Sequence, residues 1–294
     1  MRPETRILCV GAAHWDLIGR SDLPLRVGDD APGRIERGPG GVAANIAVGL
    51  ARHGVPVSLC TVVGDDEAGR TLLSALAASG IDCTPVLRVT GGMTGHYLAI
   101  EDHRGELFAA IAEGRLLETH ADAVASRAEA AMPDAGAVLL EANLGGEALR
   151  RIADAARRFG VEIVANPVSP AKAPRLAFLL DGGLAPTIIA NLAEANRMLG
   201  ADHRQAHEAA IALQARCGGT ALITSGAQPA ALAGPDALYT AIPPEAPRGG
   251  SVTGAGDALV AACLASPHRR SSPGDALRAA LAAATEHMRP DRSQ

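Results

Sequence analysis

Short apolar runs alternate along this chain with longer segments whose apolar residues recur at helical spacing. RILCVGA at residues 6–12 and VPVSLCTVVG at 55–64 are typical of buried strands. AANIAVGLARHG and DDEAGRTLLSALAASG have instead the periodicity of helices, and each ends at a glycine. Because strands and helices alternate at this spacing, the pattern predicts an α/β fold with a mostly parallel sheet between two layers of helices.

Four further apolar runs each bring a polar residue to the end of a predicted strand. AGAVLLEANL, VEIVANPVS, TIIANLAEANRMLG and TALITSG place Asn143, Asn166, Asn191 and Ser225 at these ends. In open parallel sheets, ligands bind beyond the carboxyl ends of the strands. We therefore expect the four side chains along one edge of the sheet, the ligand edge.

Two stretches lack helical periodicity. Residues 16–37 are rich in glycine, proline and charge, and Thr94–Ala112 has the pattern of two strands that turn at Arg104 and Gly105. We expect residues of approximately 14–38 and 88–112 to form a small β lid over the ligand edge. The lid would be inserted in one domain that spans residues 1–294.

The composition indicates which kinds of partner and which cellular compartment to expect. The chain has 294 residues, of which 48% are hydrophobic and only 2% aromatic, and its net charge is −5. These values are typical of a globular protein and argue against binding to nucleic acid. Five scattered cysteines without a CxxC pair predict reduced thiols rather than metal ligands. The first apolar run is too short for a signal peptide and no segment approaches a membrane span, so we expect a cytoplasmic protein.

The segment SVTGAGDALVAACLA at 251–265 carries the first candidate chemistry. Glycines at 254 and 256 permit positive φ and close backbone approach, and Asp257 falls in the first turn of a predicted helix. The free N–H groups and the dipole of such a helix start attract anions. The alternative is that Asp257 only caps a core helix, which stabilises it by about 1 kcal/mol. No Walker A sequence and no dinucleotide fingerprint is present, so a phosphate site would come from residues 253–256.

Three other groups have both a structural and a functional interpretation. Gly40, Gly41 and Asn45 open a predicted helix, either as an ordinary turn or as a site where backbone and amide meet a hydroxyl ligand. Asp16 is either a turn residue or an acceptor for vicinal hydroxyls. Asn191 and Glu194, three residues apart, form either a helix cap or a site for hydrated Mg²⁺.

Two stretches resemble a known family. GPGGVAANIAVGLARHG and SVTGAGDALVAACL are similar to the two signatures of the PfkB, or ribokinase-like, family of ATP-dependent carbohydrate and nucleoside kinases, with TVVGDDEAG, NPVS, the Asn191–Glu194 pair and ITSG in the family's order between them. The resemblance implies a ribokinase-like three-layer α/β/α sandwich with a β lid, through which two copies pair as a homodimer. It also implies ATP and Mg²⁺ as cofactors.

The resemblance assigns roles to individual residues. It makes Asp257 the general base and the loop of residues 253–256 the anion hole for the transferring phosphoryl group, with Gly254, Ala255 and Gly256 counted among the catalytic residues. The residues implied to bind the acceptor are Asp16, Gly40, Gly41, Asn45, Thr94 and Asn143. Those implied to bind the nucleotide are Asn166, Asn191, Ser225, Gly226, Thr253, Gly254 and Gly256. Glu194 and Asn191 would hold Mg²⁺ through water.

Within the family, APGRIERGPGGVAANIA, MTGHYLAIEDHRGELFAAI, EANL and NPVSPAK are most similar to pseudouridine kinases, which implies conversion of pseudouridine to its 5′-phosphate. The alternatives are a kinase of ribose, another nucleoside or a ketose, and a catalytically weak nucleoside-binding protein. Some positions depart from the family: His14 replaces a common Asn, and Ser251 replaces a common Asp. K⁺ is a candidate activator, but Ser251 argues against a monovalent-cation site.

Overall fold

An eight-stranded sheet forms the centre of the protein. The structure is a computed structural model, which describes residues 6–247, 253–269 and 271–289. The strands run in the order β14-β13-β12-β11-β10-β9-β1-β4, and those from β12 to β4 are parallel, whereas β13 and β14 are antiparallel. The strands are β1 Ile7–Val10, β4 Val57–Cys60, β9 Ala137–Glu141, β10 Glu162–Asn166, β11 Thr187–Asn191, β12 Thr220–Ser225, β13 Gln228–Ala233 and β14 Leu238–Ala241.

Helices cover both faces of this sheet, as the alternation of strands and helices predicts. They are α1 Val42–Arg52, α2 Glu67–Ala78, α3 Arg115–Thr119, α4 Ala121–Ala131, α5 Gly146–Phe159, α6 Leu192–Leu199, α7 Ala206–Cys217, α8 Ala255–Ala265 and α9 Pro273–His287. Neighbouring residues of one strand point into different cores: Leu8 and Val10 pack with α4 to α7, whereas Ile7 and Cys9 pack with α1, α2, α8 and α9. The three-layer α/β/α prediction is confirmed.

A separate four-stranded sheet is built from the two stretches without helical periodicity. Its order is β3-β2-β7-β8, with β2 at His14–Ser21, β3 at Gly33–Gly40, β7 at His96–Glu101 and β8 at Leu107–Glu113. The expected start of its second half at residue 88 is wrong. Leu87–Val89 forms β6, which pairs with β5 at Val62–Gly64, because its backbone lies beside that strand rather than beside the lid.

Glycines lie just beyond the ends of several helices. Gly54 and Gly80, which end the two predicted helical segments, follow α1 and α2 with φ of 75° and 85°. Gly160, Gly200 and Gly218 follow α5, α6 and α7 in the left-handed conformation, which a residue without Cβ adopts at no steric cost. All five cysteines are free, and four of them are buried. Within residues 6–247, 253–269 and 271–289, each helix is too short or too polar to cross a lipid bilayer.

The contact between α1 and α8 is unusually close, and it determines the geometry at the ligand edge. A Cβ atom added to Gly49 would lie 2.5 Å from Cβ of Ala261, so the two backbones approach as closely as a glycine permits. Residues four apart share one helix face. Asn45 and Asp257, each one turn nearer its helix start, are therefore brought together by the same packing.

We expect Gly49→Val to lower the free energy of unfolding by about 1–3 kcal/mol, because the added branch overpacks this contact. Urea unfolding measures the change. Gly38→Val is the matched control, since a Cβ on Gly38 meets no atom within 4 Å. An equal loss in both variants would mean that glycine itself, rather than helix approach, matters at position 49.

Candidate functional site

The predicted anion loop and base lie at the start of α8. Gly254 precedes the helix in the left-handed conformation, with φ of 81°, and has no side chain that could cap it. Asp257 lies in the first turn, where its Oδ2 accepts a hydrogen bond of 2.8 Å from Nδ2 of Asn45. The carboxylate thus reaches across to α1. The first N–H groups of a helix have no intrahelical partner, so a helix start of this kind can bind an anion.

The pKa of Asp257 is raised from 3.8 to about 7, chiefly by burial. The hydrogen bond from Asn45 opposes this shift, whereas the nearby carboxylates of Glu141, Asp16 and Glu194 add to it. A carboxyl that titrates near neutrality exchanges a proton readily at physiological pH. The side chain is therefore suited to accept a proton from a bound hydroxyl.

Glycines at the start of α1 make room for the neighbouring polar groups. A Cβ on Gly40 would overlap the carboxylate of Asp16, and a Cβ on Gly41 would overlap the carbonyl of Ala12. Gly41 also has a φ of 96°, which favours glycine. Both glycines are thus required by close approach, as expected for a loop that lies against a ligand site.

Two buried polar atoms of β2 face this region. Nδ1 of His14 lies 3.0 Å from Oδ1 of Asp16. In the part of the chain that the structure describes, neither atom has a hydrogen-bond partner of good geometry. Buried polar atoms without partners are rare in native proteins and mark places where a ligand or water completes the bonding. Asp16 therefore remains a strong candidate for contact with an acceptor hydroxyl.

The side chain of Thr94 is held by hydrogen bonds within the protein. Its hydroxyl donates to Oδ1 of Asp66 at 2.6 Å and accepts from the backbone N–H of Gly64 at 3.0 Å, and the residue is buried. Asp66 also caps α2 through the N–H of Gly69. These bonds tie the start of β7 to the body of the protein, and the role of Thr94 in substrate binding stays a prediction.

Sequence reasoning missed a buried carboxylate at the centre of the ligand edge. Glu141 ends β9 and is fully buried; it accepts hydrogen bonds from the backbone N–H of Ala12 and from both nitrogens of Asn143. Burial raises its pKa. A glutamate at the end of a continuous apolar run, VLLE, was the signal for it, because a charged residue there must find partners inside the fold.

Lys172 was also missed, although it is the only lysine in the sequence. Its Nζ donates to Oδ1 of Asn143. His14, Asn143 and Lys172 line one cavity of about 330 Å³ between the lid and the sheet, together with His96 and residues of α3. The cavity combines a cation, an amide and imidazoles, and one of these imidazoles, that of His14, contacts Asp16.

The candidate nucleotide residues lie where the sequence places them, at the ends of successive parallel strands. Asn166 ends β10, and its side chain donates to the carbonyl of Ile189 at 3.3 Å and accepts from the N–H of Val168 at 3.0 Å. Ser225 ends β12, and Gly226 turns the chain into β13 with φ of 56°. Thr253 precedes Gly254, whereas Ser251 lies outside the described residues.

Asn191 and Glu194 form a reciprocal cap at the start of α6. Oδ1 of Asn191 accepts from the N–H of Glu194, and Oε2 of Glu194 accepts from the N–H of Asn191, both at 2.9 Å. Burial raises the pKa of Glu194. Among the described residues, no three His, Cys, Asp or Glu side chains cluster to hold a metal ion. Mg²⁺ prefers few protein ligands with water and phosphate oxygens, so this single carboxylate fits it only through water.

The comparison with known families identifies the chain. The sequence profile of the pfkB family of carbohydrate kinases matches residues 4–288. The chain belongs to this family. Pseudouridine kinase from Escherichia coli strain K12 is 34% identical over 170 residues, which cover 58% of this chain and 53% of that protein. Ribokinase from Haemophilus influenzae is 30% identical over 195 residues, which cover 64% and 61%.

Solved structures of a carbohydrate kinase and of a ribokinase have the same fold. A carbohydrate kinase from Agrobacterium tumefaciens is 27% identical with a TM-score of 0.79 and covers 95% of this chain and 89% of its own. Arabidopsis thaliana ribokinase, solved with ribose and ATP, has a TM-score of 0.76 at 22% identity, over 96% and 91%. The ribokinase-like fold is thus confirmed. The chain spans about half the length of the curated relatives that it matches first.

We expect Asp257→Asn to stabilise the protein at pH 8 by about 2–4 kcal/mol, with little effect at pH 4. The reason is that the pKa of Asp257 is raised to about 7. Between pH 4 and 7 the carboxyl of Asp257 keeps a proton in the folded state that the unfolded chain releases. The contribution of this group to stability therefore falls as pH rises through this window and is constant above it. Urea unfolding at pH 4, 6 and 8 measures the difference.

Asp102→Asn is a control of opposite sign. Backbone N–H donation from Glu106 lowers the pKa of this lid carboxyl, so its contribution is present at high pH and lost as pH falls. If the two variants changed with pH in the same direction, the raised pKa of Asp257 would be contradicted.

Proposed function

We propose that this chain transfers the γ-phosphoryl group of ATP to a hydroxyl of a sugar or nucleoside, with Asp257 as general base. One observation carries the proposal: a carboxylate with a pKa of about 7 lies in the first turn of α8, directly after a glycine loop suited to bind an anion. Membership of the pfkB family of carbohydrate kinases supports the same reaction.

The reaction needs positioning and charge stabilisation more than covalent work by the protein. The acceptor oxygen forms a bond to the γ-phosphorus while the bond from that phosphorus to the bridging oxygen breaks, and ADP leaves. The acceptor's proton passes to Oδ1 or Oδ2 of Asp257. Backbone N–H groups at the start of α8 stabilise the negative charge on the transferring group. The hydrogen bond from Asn45 keeps the carboxylate aimed at the acceptor.

Residues along the ligand edge would bind the nucleotide. We assign this role to Thr253, Gly254 and Gly256 at the anion loop and to Asn166, Asn191, Ser225 and Gly226 at the strand ends. Glu194 would hold Mg²⁺ through water, and the ion would offset the charge of the phosphates. K⁺ remains an untested activator.

Asp257→Asn should reduce kcat by about 10²–10⁴-fold with the KM for the acceptor changed little, because the amide keeps the shape and the contact with Asn45 but accepts no proton. ADP release with MgATP measures it. In the wild type, kcat should rise with pH and level off above the pKa of Asp257, about 7. A variant within tenfold of wild type would remove the base role; an inactive wild type would favour the nucleoside-binding alternative.

The acceptor that we propose is pseudouridine. The 34% sequence identity to Escherichia coli pseudouridine kinase supports this choice, and so does the polar cavity that His14, Asn143 and Lys172 line. Lys172 and Asn143 line this cavity and offer polar groups to the base of a nucleoside, which ribose lacks. A uracil ring offers carbonyl acceptors to the ammonium and the amide nitrogen, and the extra ring N–H of pseudouridine can donate to the amide oxygen. Ribose remains the second candidate because of the similarity to ribokinases.

We expect turnover of pseudouridine to exceed that of uridine, ribose and fructose in one assay with MgATP. Lys172→Met should raise the KM for pseudouridine by about 10–100-fold, the loss expected for one hydrogen bond from a charged donor, and leave the KM for ribose unchanged. Arg127→Met, at a surface distant from this cavity, is the control. Preference for ribose in the wild type would replace the substrate and keep the mechanism.

We also propose that two copies pair through the lid. Residues on one face of the lid sheet are exposed and apolar: Ile35 is 78% exposed and Ile111 67%, and the strand register places Leu98 and Ile100 on the same face. An apolar sheet face with free edges at β3 and β8 is typical of an interface.

Sedimentation should find a dimer for the wild type and a monomer for Ile111→Glu, because the substitution would bury a charge in the interface. Ile211→Glu is the control, because it makes the same change at an exposed isoleucine of α7, outside the lid, and this variant should stay dimeric. A monomeric wild type would contradict the proposal.

A further inference from the structure

The last residue of α9 contacts the loop that precedes α8. Nε2 of His287 lies 3.1 Å from the carbonyl oxygen of Thr253. A carbonyl oxygen only accepts hydrogen bonds, so Nε2 must carry the proton of this bond. The neutral tautomer protonated at Nε2 and the imidazolium both supply that donor.

The same imidazole packs against Gly254. A Cβ atom added to this glycine would lie 2.7 Å from Nε2 of His287, closer than side chains tolerate. Gly254 also needs its positive φ of 81° to turn the chain into α8. His287 therefore contacts both residues that set the direction of the loop: it bonds the carbonyl of one and packs against the α-carbon of the other.

The position of this loop determines where the first N–H groups of α8 point. The carbonyl of Gly254 accepts the first intrahelical hydrogen bond, from the N–H of Ala258 at 2.9 Å. The helix start carries no side-chain cap that would fix it independently. The hydrogen bond from His287 to Thr253 therefore holds this loop by a contact from another helix, α9.

We propose that His287 is a positioning residue of the phosphoryl-transfer site, which acts by holding the Thr253–Gly254 loop so that the N–H groups of α8 meet the transferring group. The proposal rests on the proposed function. It assigns to α9 a role in catalysis without any contact between His287 and the acceptor or the reacting atoms.

Three substitutions separate the donor from the shape of the side chain. We expect His287→Ala to lower kcat about 10–100-fold, since a small misplacement of the groups at a reacting centre has an effect of this size. The KM for the acceptor should stay within twofold. His287→Gln keeps an N–H donor and should recover most of kcat, whereas His287→Phe fills the space over Gly254 without a donor and should resemble the alanine variant.

His53→Ala, which removes an exposed imidazole after α1, is the matched control and should leave kcat unchanged. If His287 had a purely structural role, the alanine variant would have a lower thermal midpoint, and the glutamine variant would not recover kcat. Either an alanine variant within twofold of wild type or a glutamine variant as impaired as alanine would overturn the proposal.

Amide hydrogen exchange tests the positioning without any activity. In His287→Ala, exchange at residues 254–258 should be about tenfold faster than in the wild type, with His287→Gln close to wild type. If the wild type turned over no acceptor, the proposed function would fail while this exchange measurement still reported on the loop. Unchanged exchange in the alanine variant would overturn the positioning role by itself.

Discussion

The hydrogen bond between Asn45 and Asp257 is the interaction on which the site depends. Its partners are 212 positions apart in the chain, and its length of 2.8 Å requires α1 and α8 to lie side by side. That approach is set one turn away, where Gly49 faces Ala261 with no space for a further methyl group. The packing of Gly49 against Ala261 therefore determines the position of the Asp257 carboxylate at the ligand edge.

The charges around Asp257 make this geometry costly for the fold. The carboxyl groups of Glu141, Asp16 and Glu194 all lie near Asp257 and add to the rise of its pKa, which burial already raises. Such an arrangement destabilises a folded protein near neutral pH, and it persists where a function needs a poised proton acceptor. The ammonium of Lys172 offsets part of this negative charge, since it lowers the pKa of Glu141.

The sequence predicts the sheet and its ligand edge because the period of apolar residues is a local property. Asn143, Asn166, Asn191 and Ser225 follow their strands as expected, since parallel strands end at one edge. The sequence does not predict the hydrogen bond from the N–H of Ala12 to the buried carboxylate of Glu141. The two residues are 129 positions apart, and only the completed sheet makes them neighbours. The bond of Thr94 to Asp66 and the contact of His287 with Thr253 were hidden for the same reason.

The two interpretations of Asn191 and Glu194, as a helix cap or as a site for hydrated Mg²⁺, turn out to be compatible. The cap uses Oδ1 of Asn191 and Oε2 of Glu194 to satisfy two backbone N–H groups, which fixes the carboxylate at the ligand edge in one rotamer. A fixed carboxylate orients water better than a mobile one, and Mg²⁺ keeps most of its water when it binds phosphates. A cap of this kind therefore needs no rearrangement to serve as an outer ligand. The structural interpretation of a motif does not count against the functional one when the two draw on different atoms of the same side chains.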